Sequence, residues 1–234
     1  MTVSRPIPKA LLKKMFLKVL HEHHRPGGCY QKHAWGLRSI LRPKLAEFFN
    51  IAPLTDEEYE QGLRGVYELE RDGYIMQDST QSNDVFKVLT ERGKQEVEQS
   101  LDDMELPTVD IDQLLTRDDL RSLIHDDYLL GDYEIAIFKT FRRLEELVRT
   151  KAQQPPTVIG ADLMSKAFSP NNGALTHPNA QTRSEQEGLH LLFRGAIMWF
   201  KNPSSHRSVG YANPEEAAQV LAFANLLLDL VDQC

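Results

Sequence analysis

At 234 residues the chain can hold one large domain or two small ones, each with its own core. Hydrophobic residues make up 41% and charged residues 26%, an ordinary globular composition. No apolar run approaches the ~20 residues that cross a bilayer, which excludes a spanning helix at the level of sequence. The net charge of -7 is unevenly spread. Residues 1–50 carry ten Lys/Arg against two Asp/Glu, residues 51–134 seven against 23, and residues 135–234 ten against nine. The basic opening can meet a phosphate backbone or pair with the acidic middle, and the pairing reading carries more weight.

The opening "MTVSRPIPKALLKKMFLKVL" sets lysines among its apolar residues with no small-residue cleavage site after it, so a secretion signal is not expected. Two cysteines, Cys29 and Cys234, give no disulfide framework and point to a reducing cytoplasm. Leu12, Met15, Phe16 and Val19 form a helical stripe with lysines on the other side, ended by Pro-Gly-Gly at 26–28. A second helix is predicted over Leu37–Phe49, entered or kinked near Pro43. Thr55 and Glu58 form a capping box for a third, which Gly73 stops. Two β-prone runs, Tyr74–Met76 and Val85–Leu89, predict a hairpin, and Thr90 opens a further helix.

Three helices followed by a hairpin, with the phrases "LERDGYI" and "FKVLTERGKQEVE", resemble a winged helix-turn-helix domain over residues 1–100. A DNA-reading third helix wants cations toward phosphates. Residues 55–72 instead hold seven acids against Arg64 and Arg71, so a scaffold or protein-contact role is expected there.

Residues 101–115, "LDDMELPTVDIDQLL", are acidic and aperiodic and read as a linker. From there to the end, 116–234, the pattern is helical. Thr116 is a candidate cap, and Ile137, Phe141, Leu144 and Val148 recur at helical spacing. The stretch "SPNNG" at 169–173 reads as a turn. Ser184 and Glu187 are a candidate capping box for a helix whose stripe is Leu189, Phe193, Ala196 and Phe200, stopped near Asn202 by Pro203. Asn213 caps the last helix, with Pro214 in its first turn. That helix is apolar on two flanks, so it needs either a central place in a bundle or a dimer partner.

The stretch "WFKNPSSHR" carries the candidate chemistry. Lys201 ends a helix, Asn202 and Pro203 turn the chain, and His206 follows, while Glu187, Arg194 and Lys201 sit at spacings of seven. A histidine beside a fixed cation suits metal-free RNA cleavage. The imidazole takes the ribose 2′-OH proton or supplies one to the leaving oxygen, and the cation stabilises charge gathering on the phosphate oxygens. The plainer reading is a lysine complementing the helix dipole and a solvated loop histidine.

The phrases "DLMSKAFSPNNG", "SEQEGLHLLFRGAIMWFKNPSSHR" and "NPEEAAQVLAFANLLLDLVD" resemble the Ymh-like branch of the HEPN superfamily over about residues 118–234. The resemblance implies a helical bundle that dimerises, and a metal-independent ribonuclease with an Arg, four to six residues, then His signature. It also implies a place in prokaryotic antiviral, abortive-infection or toxin-type defence. Carried over, His206 is the acid/base, Lys201 the transition-state cation in place of arginine, and Asn202 a positioning residue, with two such pairs in a dimer cleft and the "SPNNG" turn as its wall. Lysine keeps the charge but lacks the planar fork that grips two phosphate oxygens; Arg194 or Arg207 are candidate substrate-binding compensators.

The expectation is therefore a mainly α protein, with a winged-helix-like domain at 1–100, an acidic linker at 101–115 and a HEPN-like bundle at 116–234. Its expected partners are RNA, a second copy, and a regulatory protein or nucleic acid at the N-terminal domain. No membrane, metal or cofactor is expected. The rival reading is a catalytically degenerate HEPN dimer acting as a nucleic-acid- or protein-binding regulator. His21, His24, Cys29 and His33 do not have a common zinc spacing, and Trp35 and Trp199 are expected in cores.

Overall fold

A computed structural model describes residues 5–22, 30–31, 40–80, 86–101, 106–107, 109–204, 209–211 and 213–234. The protein is mainly α and divides into two compact units, Met1–Thr108 and Val109–Cys234.

In the first unit, α1 (Lys9–Glu22) buries the predicted stripe of Leu12, Met15, Phe16 and Val19 to 1% exposure or less. Its buried face is wider than the stripe. Lys18, expected on the solvent side, is buried and donates to the Leu101 carbonyl at 2.9 Å. A two-residue strand β1 (Tyr30–Gln31) follows, then a π-helical turn (Ile40–Lys44) holding Pro43, which runs into α2 (Leu45–Phe48). The start of the predicted second helix lies outside the described residues.

Helix α3 (Asp56–Arg71) opens with the expected box: the Glu58 N–H donates to Thr55 Oγ1 at 3.2 Å, and the Thr55 N–H donates to Glu58 Oε2 at 2.9 Å. Gly73, at φ +79°, takes the left-handed conformation that ends the helix. The hairpin strands β2 (Ile75–Gln77) and β3 (Phe86–Leu89) pair antiparallel, Met76 opposite Val88. Strand β1 adds to the other side of β3, Tyr30 opposite Lys87, giving the order β1-β3-β2. Helix α4 (Glu91–Glu96), capped by Thr90, ends in a π-helical turn, Val97–Leu101.

The basic opening pairs with the acidic helix. Lys9 Nζ lies 2.5 Å from Glu68, Lys13 Nζ 3.3 Å from Glu68 and 3.5 Å from Asp72; Arg5 pairs with Glu58 and Arg42 with Asp56. Lys87, buried on β3, meets Glu70 at 2.5 Å. Five of the seven acids counted in 55–72 thus have basic partners. The outward positions of α3 are Asp56, Glu57, Glu60, Arg64, Tyr67 and Arg71.

In the second unit, residues 109–115 are not linker. Asp110 caps a short helix α5 (Ile111–Leu114), and Ile111 and Leu115 enter the core, because apolar side chains in an acidic segment still gain by burial. Helix α6 (Asp118–Leu129) follows without a side-chain cap; Thr116 instead accepts from Asn225 at 2.7 Å and donates to Asp229 at 3.1 Å. Helix α7 (Tyr133–Lys151) buries Ile137, Phe141, Leu144 and Val148 completely. Next come α8 (Gly160–Ala167) and α9 (Arg183–Ala196), which continues as a π-helical turn, Ile197–Lys201, and then a single helical turn, Asn202–Ser204. The capping box of α9 is Thr182 with Glu185, two residues before the predicted pair.

The last helix, α10 (Pro214–Gln233), is capped by Asn213, whose Oδ1 accepts from the Glu215 and Glu216 N–H groups. Both of its apolar stripes are largely covered within the unit, against α7 and its neighbours, so it is the central helix of the bundle.

Glu58 is 1% exposed and holds the first unit together: it accepts from Arg5, from the Ile7 N–H at 2.8 Å and from Thr55. Burial works against its ionisation, but these donors win and hold its carboxyl below the usual glutamate range. A depressed carboxyl pKa contributes stability that is complete above the unfolded-state value and fades as pH falls through the folded one. Glu58→Gln is therefore expected to lower the melting temperature of this unit at neutral pH, by about 2 kcal/mol in stability. The gap from the native protein should begin to narrow near pH 4 and shrink further as pH falls through the lower folded-state value, and a gap that stays constant down to acid pH in thermal melts would refute the assignment.

Candidate functional site

The site is built around Phe200. Its ring stacks on Phe141 of α7 at 5.4 Å and leans on Phe223 of α10 at 5.8 Å, which fixes the end of α9 over the middle of α7. Four residues after Phe141, on the same face of α7, stands Glu145. Lys201, next after Phe200, reaches it: Nζ to Oε2 is 2.9 Å. The side chains are 16% and 5% exposed, respectively.

A buried carboxylate is costly unless its lone pairs are filled. The second oxygen of Glu145 accepts the backbone N–H of Gly160, the first residue of α8, and the Arg149 guanidinium lies 3.6 Å from it. Arg149 is steadied by two 3.4 Å bonds to the Val158 carbonyl. Gly160 sits at φ +58°, and a Cβ there would come 3.7 Å from Asn202 Oδ1. Glycine lets the chain turn into α8 with its N–H aimed at Glu145 and leaves Asn202 alongside.

Beside this cluster is an open cleft of about 330 Å³. Its wall includes Arg142, Glu145, Arg149, Ile159 and Lys201, with Arg142 also paired to Glu146 at 3.1 Å. An ammonium has three donors, so Lys201 can bridge Glu145 and an anion in the cleft. Ile159, 60% exposed, gives the opening an apolar lip.

Of the residues singled out in sequence, Lys201 and Asn202 come together here. His206 and Arg207 lie outside the described residues, as do His24, Cys29, His33 and Trp35. Arg194 is exposed on α9 and does not line the cleft. The spacing of seven had put Glu187, Arg194 and Lys201 on one face. Glu187 and Arg194 are exposed, whereas Lys201, four residues after the buried Ile197, stands at the border of the core-facing side and is drawn to Glu145. Trp199, expected in the core, is 73% exposed. The "SPNNG" turn is closed by its own bond, Ser169 to Asn172 at 2.9 Å, and does not line the cleft.

Glu145, Arg142 and Arg149 went unnoticed in sequence because α7 reads there as an ordinary amphipathic helix. The available signal was that Glu145 follows Leu144 and falls four residues after Phe141, at the border of the buried stripe. Among the described residues no group of three or more His, Cys, Asp or Glu could hold a metal ion. No described helix is long and apolar enough to cross a membrane.

The pair predicts a graded response. Lys201→Met leaves Glu145 without its nearest cation and should destabilise the second unit by about 3–5 kcal/mol, whereas Lys201→Arg keeps the charge and should cost far less. Equal melting of Lys201→Met and native protein would show that the contact is not structural.

No curated protein and no solved structure matches this chain. Residues 116–231, nearly the whole second unit, match the family model described as "Protein of unknown function (Hypoth_ymh)".

Proposed function

We propose that the second unit is a metal-independent, RNA-cleaving HEPN ribonuclease of a prokaryotic antiviral or abortive-infection system, working as a dimer in the cytoplasm. The observation that carries this reading is the Lys201–Glu145 pair at the rim of a cleft walled by Arg142 and Arg149, immediately before the segment that bears His206. In the reaction the ribose 2′-oxygen attacks the adjacent phosphorus, a 2′,3′-cyclic phosphate forms and the bond to the 5′-oxygen breaks. His206 acts as acid/base on one of the two oxygens, taking the 2′-OH proton or protonating the leaving group. Lys201 faces the charge that collects on the non-bridging oxygens, and Asn202 positions substrate or His206. The winged-helix-like unit takes a regulatory partner.

The same ion pair favours a second reading. Glu145 offsets the charge of Lys201, and lysine lacks the bidentate grip of the arginine it replaces in the superfamily pattern. A degenerate site would leave the bundle as a nucleic-acid- or protein-binding regulator.

Purified full-length protein incubated with mixed RNA in EDTA separates the two. Under the nuclease reading the native chain cleaves and His206→Ala loses activity by about 100-fold or more, while Lys201→Arg cleaves faster. An inactive native chain with an active Lys201→Arg variant would establish the regulator. Silence in all three forms would refute the nuclease.

A further inference from the structure

The cleft beside Lys201 has two kinds of wall. Phe138, Arg142, Glu146 and Arg149 recur along one face of α7 at spacings of four, four and three, and Ile159, just ahead of α8, joins them with Lys201. Arg142, Arg149 and Lys201 against Glu145 and Glu146 leave the lining one positive charge in excess. The apolar part is the half-buried Phe138 and the Ile159 side chain, which is 60% exposed. The cations are not equivalent. Lys201 is held by Glu145, and Arg149 by Glu145 and the Val158 carbonyl. Arg142 is 66% exposed and its bond to Glu146 uses Nε, which leaves the terminal nitrogens of the fork for a ligand.

We propose that this cleft is a subsite for one nucleotide of a single-stranded RNA, next along the chain from the phosphate that Lys201 faces. Arg142 binds the phosphodiester of that nucleotide, and Phe138 with Ile159 takes its base. The proposal deepens the nuclease reading and rests on it for the choice of RNA as ligand. A single excess positive charge suits one phosphodiester, which carries one negative charge; a nucleoside triphosphate would need several more cations or a metal ion. The Arg142–Glu146 contact at 3.1 Å is an exposed pair of little worth, so exchanging the carboxylate for a phosphate costs little, and the planar fork meets two phosphate oxygens at once. That grip is what Lys201 lacks. The volume of about 330 Å³ is at the small end of ligand clefts, which run from roughly 300 to 1,000 Å³, and suits one unstacked nucleotide and not a duplex. An aromatic face beside a cation is how unpaired bases are held without reading their sequence. Lys201 belongs both to the cleft wall and to the Glu145 pair, which makes the cleft the immediate neighbour of the reacting phosphate.

Fluorescence anisotropy with an end-labelled oligoadenylate RNA tests this on full-length protein carrying His206→Ala, in EDTA and over a series of salt concentrations, so that cleavage does not enter. Adding Arg142→Ala should weaken binding by about tenfold. It should also reduce the slope of log affinity against log salt by about 0.7, the share of one single-strand phosphate contact. Phe138→Leu, which keeps an apolar side chain but removes the ring, should weaken binding at least about fivefold and leave the salt slope unchanged. Arg183→Ala, at an exposed position of α9 outside the cleft, should bind as the parent does. Absence of RNA binding by the parent overturns the subsite, and so does a loss with Arg183→Ala equal to that with Arg142→Ala, or a salt slope that Arg142→Ala does not move. Adenosine 5′-monophosphate that binds in an Arg142-dependent way and is not displaced by the RNA also overturns it, by making the cleft a site for a free nucleotide. Cleavage by the protein that retains His206 keeps the two ideas apart. Arg142-dependent binding without cleavage leaves the subsite standing and removes the nuclease, whereas cleavage with binding indifferent to Arg142 and Phe138 does the reverse.

Discussion

The buried carboxylate of Glu145 is the constraint on which the second unit's site depends. An ionised group that is almost fully removed from water must recruit donors, and here they come from three different segments: the first N–H of α8, the Arg149 side chain one turn along α7, and Lys201 at the end of α9. The start of one helix and the end of another are thereby held against the middle of a third. The glycine conformation at 160, the position of Asn202 and the limited exposure of Lys201 are consequences of satisfying that one group. Aromatic stacking of Phe200 on Phe141 brings the segments near; the carboxylate sets where the cation stops.

The first unit solves a similar problem with Glu58, which gathers Arg5, the Ile7 N–H and the cap of α3. This changes how the acidity of α3 bears on function. Counted in sequence, seven acids against two arginines make the helix repel a phosphate backbone. Placed in space, five of those acids have basic partners, and Arg64, Tyr67 and Arg71 share the outward side with Asp56, Glu57 and Glu60. The acidity of α3 is thus largely a matter of pairing within the first unit.

Much of the fold was legible in sequence where one interaction dominates one local pattern. The stripes of α1 and α7 are pure burial, and the Thr55–Glu58 box and the Asn213 cap are local hydrogen bonding. Legibility failed where two local solutions compete or where the deciding partner is distant. Thr182 with Glu185 and Ser184 with Glu187 are equally good boxes on paper; the chain uses the earlier one and gains two helical residues. Thr116 looks like a cap, but Asn225 and Asp229, more than a hundred residues away, take its hydroxyl. Strand β1 is two residues long and has meaning only as an addition to β3. Of the site, Lys201 and Asn202 could be read from the helix end, while Glu145 could not, because nothing in its own neighbourhood reveals which cation will arrive from 56 residues later.

The end of α9 is where residue type and spacing pointed in different directions. At helical spacing Lys201 follows Arg194 by seven but also the buried Ile197 by four, and Trp199 follows the exposed Gly195 by four, so residue type suggested a core place for Trp199 that its spacing does not. The last turn, Ile197–Lys201, is π-helical where the helix meets α7. Phe200 and Lys201 turn inward, to an aromatic stack and a buried carboxylate; Met198 and Trp199 stay outward. Four consecutive residues thus divide between two sides of the helix, and it is the distant partners, Phe141 and Glu145 of α7, that decide where Phe200 and Lys201 go.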